Sequence, residues 1–354
     1  MTNRMNTHVE WFEKIRLAAR PSVGGKGASL GELTYAGIRV PPGFVVTTSA
    51  FEASLAALDA QGTIRRAIAG LDGKDLAGIG DVTREIRERI ERAPLPAPVH
   101  SAIAAAHAKL CGANRSAPLA VRSSATSEDS ADASFAGLQE TLLWMCGADA
   151  VLAALRSCWA SLYSVESVSY RLRLGLDEAE VAMGVVIQRM VDSRSSGVMF
   201  TRSPTTGDPS VIAIEGSWGL GSAIVSGEVT PDKFVVSKVT GEIVKRDVAA
   251  KTVEHLPAAD SRGVSANEIP AERQAAPCLS DDEVRGLVDL AKRVERHYGT
   301  AQDIEWAIGR DGHTYLLQSR PETVWSAREV KPVAAPQRNP FDHVLAALGG
   351  KLRP

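Results

Sequence analysis

Cysteine is scarce: the 354-residue chain has four, Cys111, Cys146, Cys158 and Cys278, and no two of them stand in a CxxC spacing. That excludes a disulfide framework and a zinc-ribbon type of site, and it points to reduced thiols. An excess of one charge is lacking as well. Lysine and arginine number 40 against 42 acidic residues, so the net charge of −2 offers no basic surface for nucleic acid or a membrane. No apolar run approaches the roughly 20 residues that span a bilayer. The opening "MTNRMNTHVEWFEKIRL" lacks a signal-peptide core. A cytoplasmic protein is expected. No internal repeat is present either. What remains, 44% hydrophobic and 23% charged residues, is the composition of a globular protein with one large or two medium domains.

Periodicity supplies a coarse layout. "HSAIAAAHAKL" (100–110) and "LSDDEVRGLVDLAKRVERHY" (279–298) read as helices, the second opening with a Ser280–Glu283 capping box. "AMGVVIQRMV" (182–191), "SVIAIEG" (210–216) and "DKFVVSK" (232–238) read as strands. Helices and strands mix without strict alternation, which predicts an α+β or mixed α/β architecture. After Trp325, "SAREVKPVAAPQRNP" has the composition of a linker, and "FDHVLAALGG" that of a short terminal helix. The expected organisation is an N-terminal extension over 1–14, a body over 15–325, and a linker with a helix over 326–354.

The segment "DIEWAIGRDGHTYLLQSRP" predicts a hairpin turning at Asp311-Gly312 through a type I′ turn. That register sets Asp303 opposite Arg320 and Glu305 opposite Gln318, all on one face, with Ile304, Trp306 and Ile308 on the other. A carboxylate beside a neutral carbonyl oxygen suits Mg²⁺, which takes one or two carboxylates and completes its shell with phosphates and water. Asp303 can add to such a site or orient Arg320, whose charge could neutralise a transferring phosphoryl group. The alternative is an ordinary Asp303–Arg320 surface pair, worth under about 1 kcal/mol, which leaves the adjacent Glu305–Gln318 pair unexplained.

Four further stretches suit phosphate or nucleotide. In "SVGGKGASLGEL" (22–33), glycines flank Lys26 ahead of a helix-like run, without the spacing of a Walker A motif, so a glycine-rich turn with a solvated lysine is the competing reading. In "PLAVRSSATSEDSADASFAGLQETLL" (118–143), a strand over Leu119–Val121 ends in Arg122, then a small polar flap runs from Ser123 to Gly137 before a second strand over 140–144. "VVIQRMV" offers either a core strand or a backbone edge for adenine beginning at Gln188, continuing through Met190 and Val191. Gly216, Gly219, Gly221 and Gly227 crowd "IEGSWGLGSAIVSGEVTPDKF", which suggests backbone packed against a ligand or another loop.

These stretches, together with "GIRVPPGFVVTT" and "SSGVMFTRSPTTGD", resemble in unbroken order over about residues 15–325 the nucleotide-binding domain of the phosphoenolpyruvate synthase and pyruvate phosphate dikinase family. The resemblance implies an ATP-grasp fold, two α+β subdomains clamping ATP, with ATP and Mg²⁺ as ligands. By position it implies that Lys26, Arg122 and Arg320 act on the phosphates and that Gly137 and Thr141 lie in or just after a closing flap. It further implies that Gln188 begins the adenine-side strand and that Glu305 and Gln318 lie near metal and phosphate, Asp303 being a possible addition. No matched position is replaced.

In this family the terminal diphosphate of ATP passes to a histidine on a swivelling domain, AMP leaves, and phosphate is then hydrolysed off. The phosphoryl group that remains goes to an acceptor. None of His8, His100, His107, His255, His297, His313 and His343 lies in the family's "GGxTSHAA"-like motif. The expectation is therefore an ATP-binding subunit in a hetero-oligomer, whose partner carries the swivelling histidine and the acceptor site. Phenylphosphate synthase resembles that arrangement best, which implies phenol, ATP and water giving phenylphosphate, AMP and phosphate. The alternatives are the excised ATP-binding domain of a phosphoenolpyruvate synthase or rifampicin-type phosphotransferase, and a non-catalytic ATP-binding module.

Overall fold

The computed structural model describes residues 7–126, 129–130, 133–134, 140–178, 181–258 and 263–325. The α+β class read from the sequence is what the chain adopts, as two sheet-and-helix lobes. In chain order the first lobe contains β1 (Val9–Trp11), α1 (Arg20–Tyr35), β2 (Gly43–Val46), α2 (Thr48–Leu58), α3 (Thr63–Ala69), α4 (Leu76–Arg92) and α5 (Ala97–Cys111). It continues through β3 (Leu119–Ala125), the short pair β4 (Asp129–Ser130) and β5 (Ala133–Ser134), β6 (Thr141–Met145), α6 (Ala148–Ser161), α7 (Val165–Leu174) and β7 (Met183–Arg189). Five of its strands form an antiparallel sheet in the order β1-β2-β7-β3-β6.

Side-chain alternation gives that sheet two different faces. One carries Phe44, Val121, Val185 and Ile187 into a core with Phe51, Ile86, Ile103, Leu155 and Trp159 of the covering helices. The opposite face carries Val45 and Val186, packed under α1 through Val23, Ala28 and Leu30. Arg122, Ser124 and Gln188 share this second face by register.

The second lobe contains β8 (Ser193–Phe200), β9 (Val211–Trp218), α8 (Ser222–Val225), β10 (Asp232–Ser237), β11 (Ile243–Asp247), β12 (Val253–Pro257) and β13 (Val264–Glu268). Then follow α9 (Ala271–Gln274), α10 (Asp281–Tyr298), β14 (Gln302–Gly309) and β15 (Thr314–Pro321). Six strands pair antiparallel in the order β11-β10-β9-β8-β14-β15. One face packs Met199, Ile214, Ile304 and Trp306 against Val284, Leu287, Val288 and Ala291 of α10. The capping box read from the sequence starts α10, with Ser280 and Glu283 bonded reciprocally, and Gly299 at φ 71° ends it.

Some boundaries differ from the sequence reading. The strand of "AMGVVIQRMV" stops at Arg189: the Met190 amide still bonds the Pro118 carbonyl at 3.0 Å, but Pro118, opposite it in register, has no N–H to return the bond. The strand of "PLAVRSS" does not end at Arg122 but runs on to Ala125, so Ser123 and Ser124 are fully buried strand residues and not part of a flap. Up to Pro321 the described residues form one compact unit. The segment 326–354, read as linker and helix, and Gly137 lie outside the described residues. Among those described, no helix is long and apolar enough to cross a membrane.

Candidate functional site

The hairpin β14–β15 places its four polar residues as the sequence predicts. Asp303 pairs with Arg320 and Glu305 with Gln318, while Ile304, Trp306 and Ile308 are buried on the other face. The turn is not the predicted one. Gly309 pairs with His313 through a 2.9 Å backbone bond, so three residues form the loop, and Gly312 adopts φ 78°. A bulge between Glu305 and Trp306, with Leu317 as the extra residue on β15, shifts the register back. The two departures cancel at the site.

Arg122 of the first lobe meets this hairpin directly. Its Nη2 donates to Glu305 Oε2 at 2.9 Å and to Gln318 Oε1 at 2.7 Å, and its Nη1 donates to the Leu317 carbonyl at 2.8 Å. The Arg122 side chain is 9% exposed and that of Glu305 37%, so the guanidinium is withdrawn from water while the carboxylate still reaches it. Charge-assisted bonds of this kind are about twice as strong as neutral ones. Glu305 Oε2 and Gln318 Oε1 lie within bonding reach of one nitrogen, so two hard oxygens converge on a single positive centre. That donor set fits Mg²⁺. Among the described residues no three His, Cys, Asp or Glu are grouped to hold a metal, so a cation here would take its other ligands from substrate oxygens and water.

Lys26 is buried within α1, which corrects its reading as part of a turn ahead of a helix. The helix kinks at Gly24 (φ 72°, ψ 177°) and restarts. Its glycines are there for close approach: a Cβ on Gly24 would lie 1.9 Å from the Ser124 carbonyl oxygen, and one on Gly31 2.4 Å from Ile15. Burial pushes the Cys158 thiol up, as does the Glu140 charge, while the Lys26 ammonium pulls it back. Thr141 is exposed and opposite Arg122 in register on β6. Gln188 is buried beside Ala120, and its amide donates to the Pro41 carbonyl at 3.2 Å. Arg320 is half-exposed, its Nε 3.4 Å from Asp303 Oδ2.

Other residues of the site were not singled out from the sequence. Ser29 on α1 donates to the Ser319 carbonyl at 2.5 Å, and Glu32 holds His297 of α10 at 2.8 Å. These contacts seat α1 between the lobes. Their only local signal is a small or polar residue where an apolar helix face is expected. The glycines of "EGSWGLG" have packing roles: a Cβ on Gly216 would lie 3.0 Å from the Trp306 ring, and one on Gly219 2.6 Å from the His255 carbonyl oxygen. Neighbouring side chains and strands, with no ligand needed, account for both.

Residues 20–340 match the family described as pyruvate phosphate dikinase, AMP/ATP-binding domain. A probable phosphoenolpyruvate synthase of Methanothermobacter thermautotrophicus is 41% identical over 323 residues, which is 91% of this chain and 47% of that protein. A rifampicin phosphotransferase of a Streptomyces species is 42% identical over 313 residues, 88% of this chain and 35% of its own length. The phosphoenolpyruvate synthase of Neisseria meningitidis serogroup B is 41% identical over 341 residues, 92% of this chain and 43% of its own length. The chain thus spans less than half the length of these relatives. It belongs to the family of the pyruvate phosphate dikinase AMP/ATP-binding domain.

Proposed function

We propose that this chain binds ATP between its two lobes, in the manner of an ATP-grasp fold, and passes the terminal diphosphate to a histidine in a swivelling domain. AMP leaves, water then releases phosphate, and the phosphoryl group left on the histidine goes to an acceptor. The observation that supports this reading is the meeting of Arg122 from one lobe with Glu305 and Gln318 from the other, in a chain of an AMP/ATP-binding family. Lys26 and Arg122 bind the phosphates, and Thr141 and Gln188 border the nucleotide. Glu305 and Gln318 hold Mg²⁺, which when bound neutralises phosphate charge. Arg320, half-exposed beside Asp303, meets the charge that develops on the group being transferred.

The relatives' names favour an ATP-binding portion of a phosphoenolpyruvate synthase or rifampicin-type phosphotransferase over a unit dedicated to phenol. The histidine belongs to a partner subunit or to a further domain. To test the reading, the chain is incubated with Mg²⁺, ATP labelled at the β-phosphorus and a soluble extract of its own cells. Label on a histidine of another polypeptide, with AMP as product, is expected. Arg320→Ala should retain ATP binding yet lose about a hundredfold or more in transfer. ADP as the product, or ATP binding with no transfer, would leave a different kinase or a non-catalytic module.

A further inference from the structure

We propose that Arg122 is a placeholder for the cation: without nucleotide its guanidinium holds the two oxygens a divalent metal would take, and polyphosphate must draw it away before the metal binds. The inference rests on the nucleotide-site reading above and adds an order of assembly to it.

Three observations carry it. Arg122 Nη2 is bonded at once to Glu305 Oε2 and Gln318 Oε1, at 2.9 and 2.7 Å, so the convergent oxygens are already neutralised by a fixed charge. The pair is asymmetric, with the guanidinium buried and the carboxylate over a third exposed, so Glu305 can exchange its partner for a cation arriving from water. Finally, the bulge in β15 has a purpose: the extra residue, Leu317, turns its carbonyl to Arg122 Nη1 at 2.8 Å. That anchor keeps the guanidinium at the site when Nη2 changes partner. A polyphosphate offers the fork more negative charge than one carboxylate does, and its own oxygens complete the metal's shell. Nucleotide and metal therefore favour each other, and by linkage the coupling is the same whichever is measured first.

The test uses the full chain and Mn²⁺ as probe, with free Mn²⁺ read by electron paramagnetic resonance. Wild type should bind Mn²⁺ weakly alone and at least about tenfold more tightly with the β,γ-imido analogue of ATP. Arg122→Ala should bind Mn²⁺ without nucleotide at least about tenfold more tightly than wild type, and adding Glu305→Gln should remove that gain. If Arg122→Ala does not fold by circular dichroism, Arg122→Met keeps the volume of the stem and must show the same gain. A folded variant with no gain overturns the proposal, and so does wild type binding Mn²⁺ equally well with and without the analogue. Calorimetry of the analogue separates the two readings. If it does not bind at all, the nucleotide site itself fails. If it binds and the Mn²⁺ affinities are uncoupled, the placeholder alone fails.

Discussion

Ser124 and Gly27 are joined by a 3.1 Å bond from the Gly27 amide to the Ser124 hydroxyl, which itself donates to the Val23 carbonyl at 2.9 Å. The kink at Gly24 removes these two backbone groups from the helical ladder of α1, and one buried hydroxyl satisfies both. It does so two positions from Arg122 on β3, beside the turn of helix that carries Lys26. Ser124→Ala strands a donor and an acceptor and should cost about 1–3 kcal/mol in a urea melt. An unchanged midpoint would mean the kink is held by packing alone.

Asp59 gives the chain an acid-sensitive element. Burial raises its carboxyl, but bonds from the Thr63 hydroxyl and the Ile64 and Thr63 amides outweigh this, helped by the Arg89 charge, and hold it below the ordinary 3.8. A depressed folded value stabilises the fold above 3.8, and that contribution is lost as pH falls through the lowered value. Asp59→Ala should therefore cost about 0.5–2 kcal/mol at neutral pH. The gap between variant and wild type should shrink in acid. Urea midpoints across the range check this, and a gap independent of pH would contradict it.

Lys251 and Asp232 form a fully buried pair, whereas Lys245 and Asp247 form one that is mostly exposed. Asp232 also accepts from the Ala249 and Cys278 amides, at 2.9 and 2.8 Å, so its charge ties β10 to the start of α10. Lys251→Met leaves that carboxylate buried without its cation and should destabilise by about 3–5 kcal/mol. Lys245→Met should change stability by no more than about 0.5 kcal/mol. Equal midpoint shifts in the two variants would refute the distinction.

What the sequence revealed was whatever local chemistry determines. The Ser280–Glu283 box needs only residues three apart, and it forms as read. The apolar alternation of β14 fixes which face Asp303 and Glu305 take. The turn of that hairpin differs from the reading because Gly309 pairs with His313 across three residues, and the register returns only at the bulge, where the Leu317 carbonyl accepts from Arg122, a residue nearly two hundred positions earlier. The glycines around Lys26 look like a loop locally, yet they lie in two helical pieces joined at Gly24, where β3 comes too close for a side chain. A Cβ on Gly184 would lie 2.7 Å from the Val23 carbonyl oxygen. Arg122 stood out at the end of an apolar strand as a group suited to phosphate, and the family resemblance implied the same role; its three partners in the second lobe depend on how the lobes meet.

The most direct measurement is calorimetric titration of ATP and of AMP, with saturating Mg²⁺, into wild type and Arg122→Ala. If the arginine and its partners from the second lobe form the polyphosphate site, the variant loses at least about tenfold in ATP affinity, some 1.4 kcal/mol, and much less in AMP affinity. Equal loss for both nucleotides, or none for either, would contradict a phosphate site between the lobes.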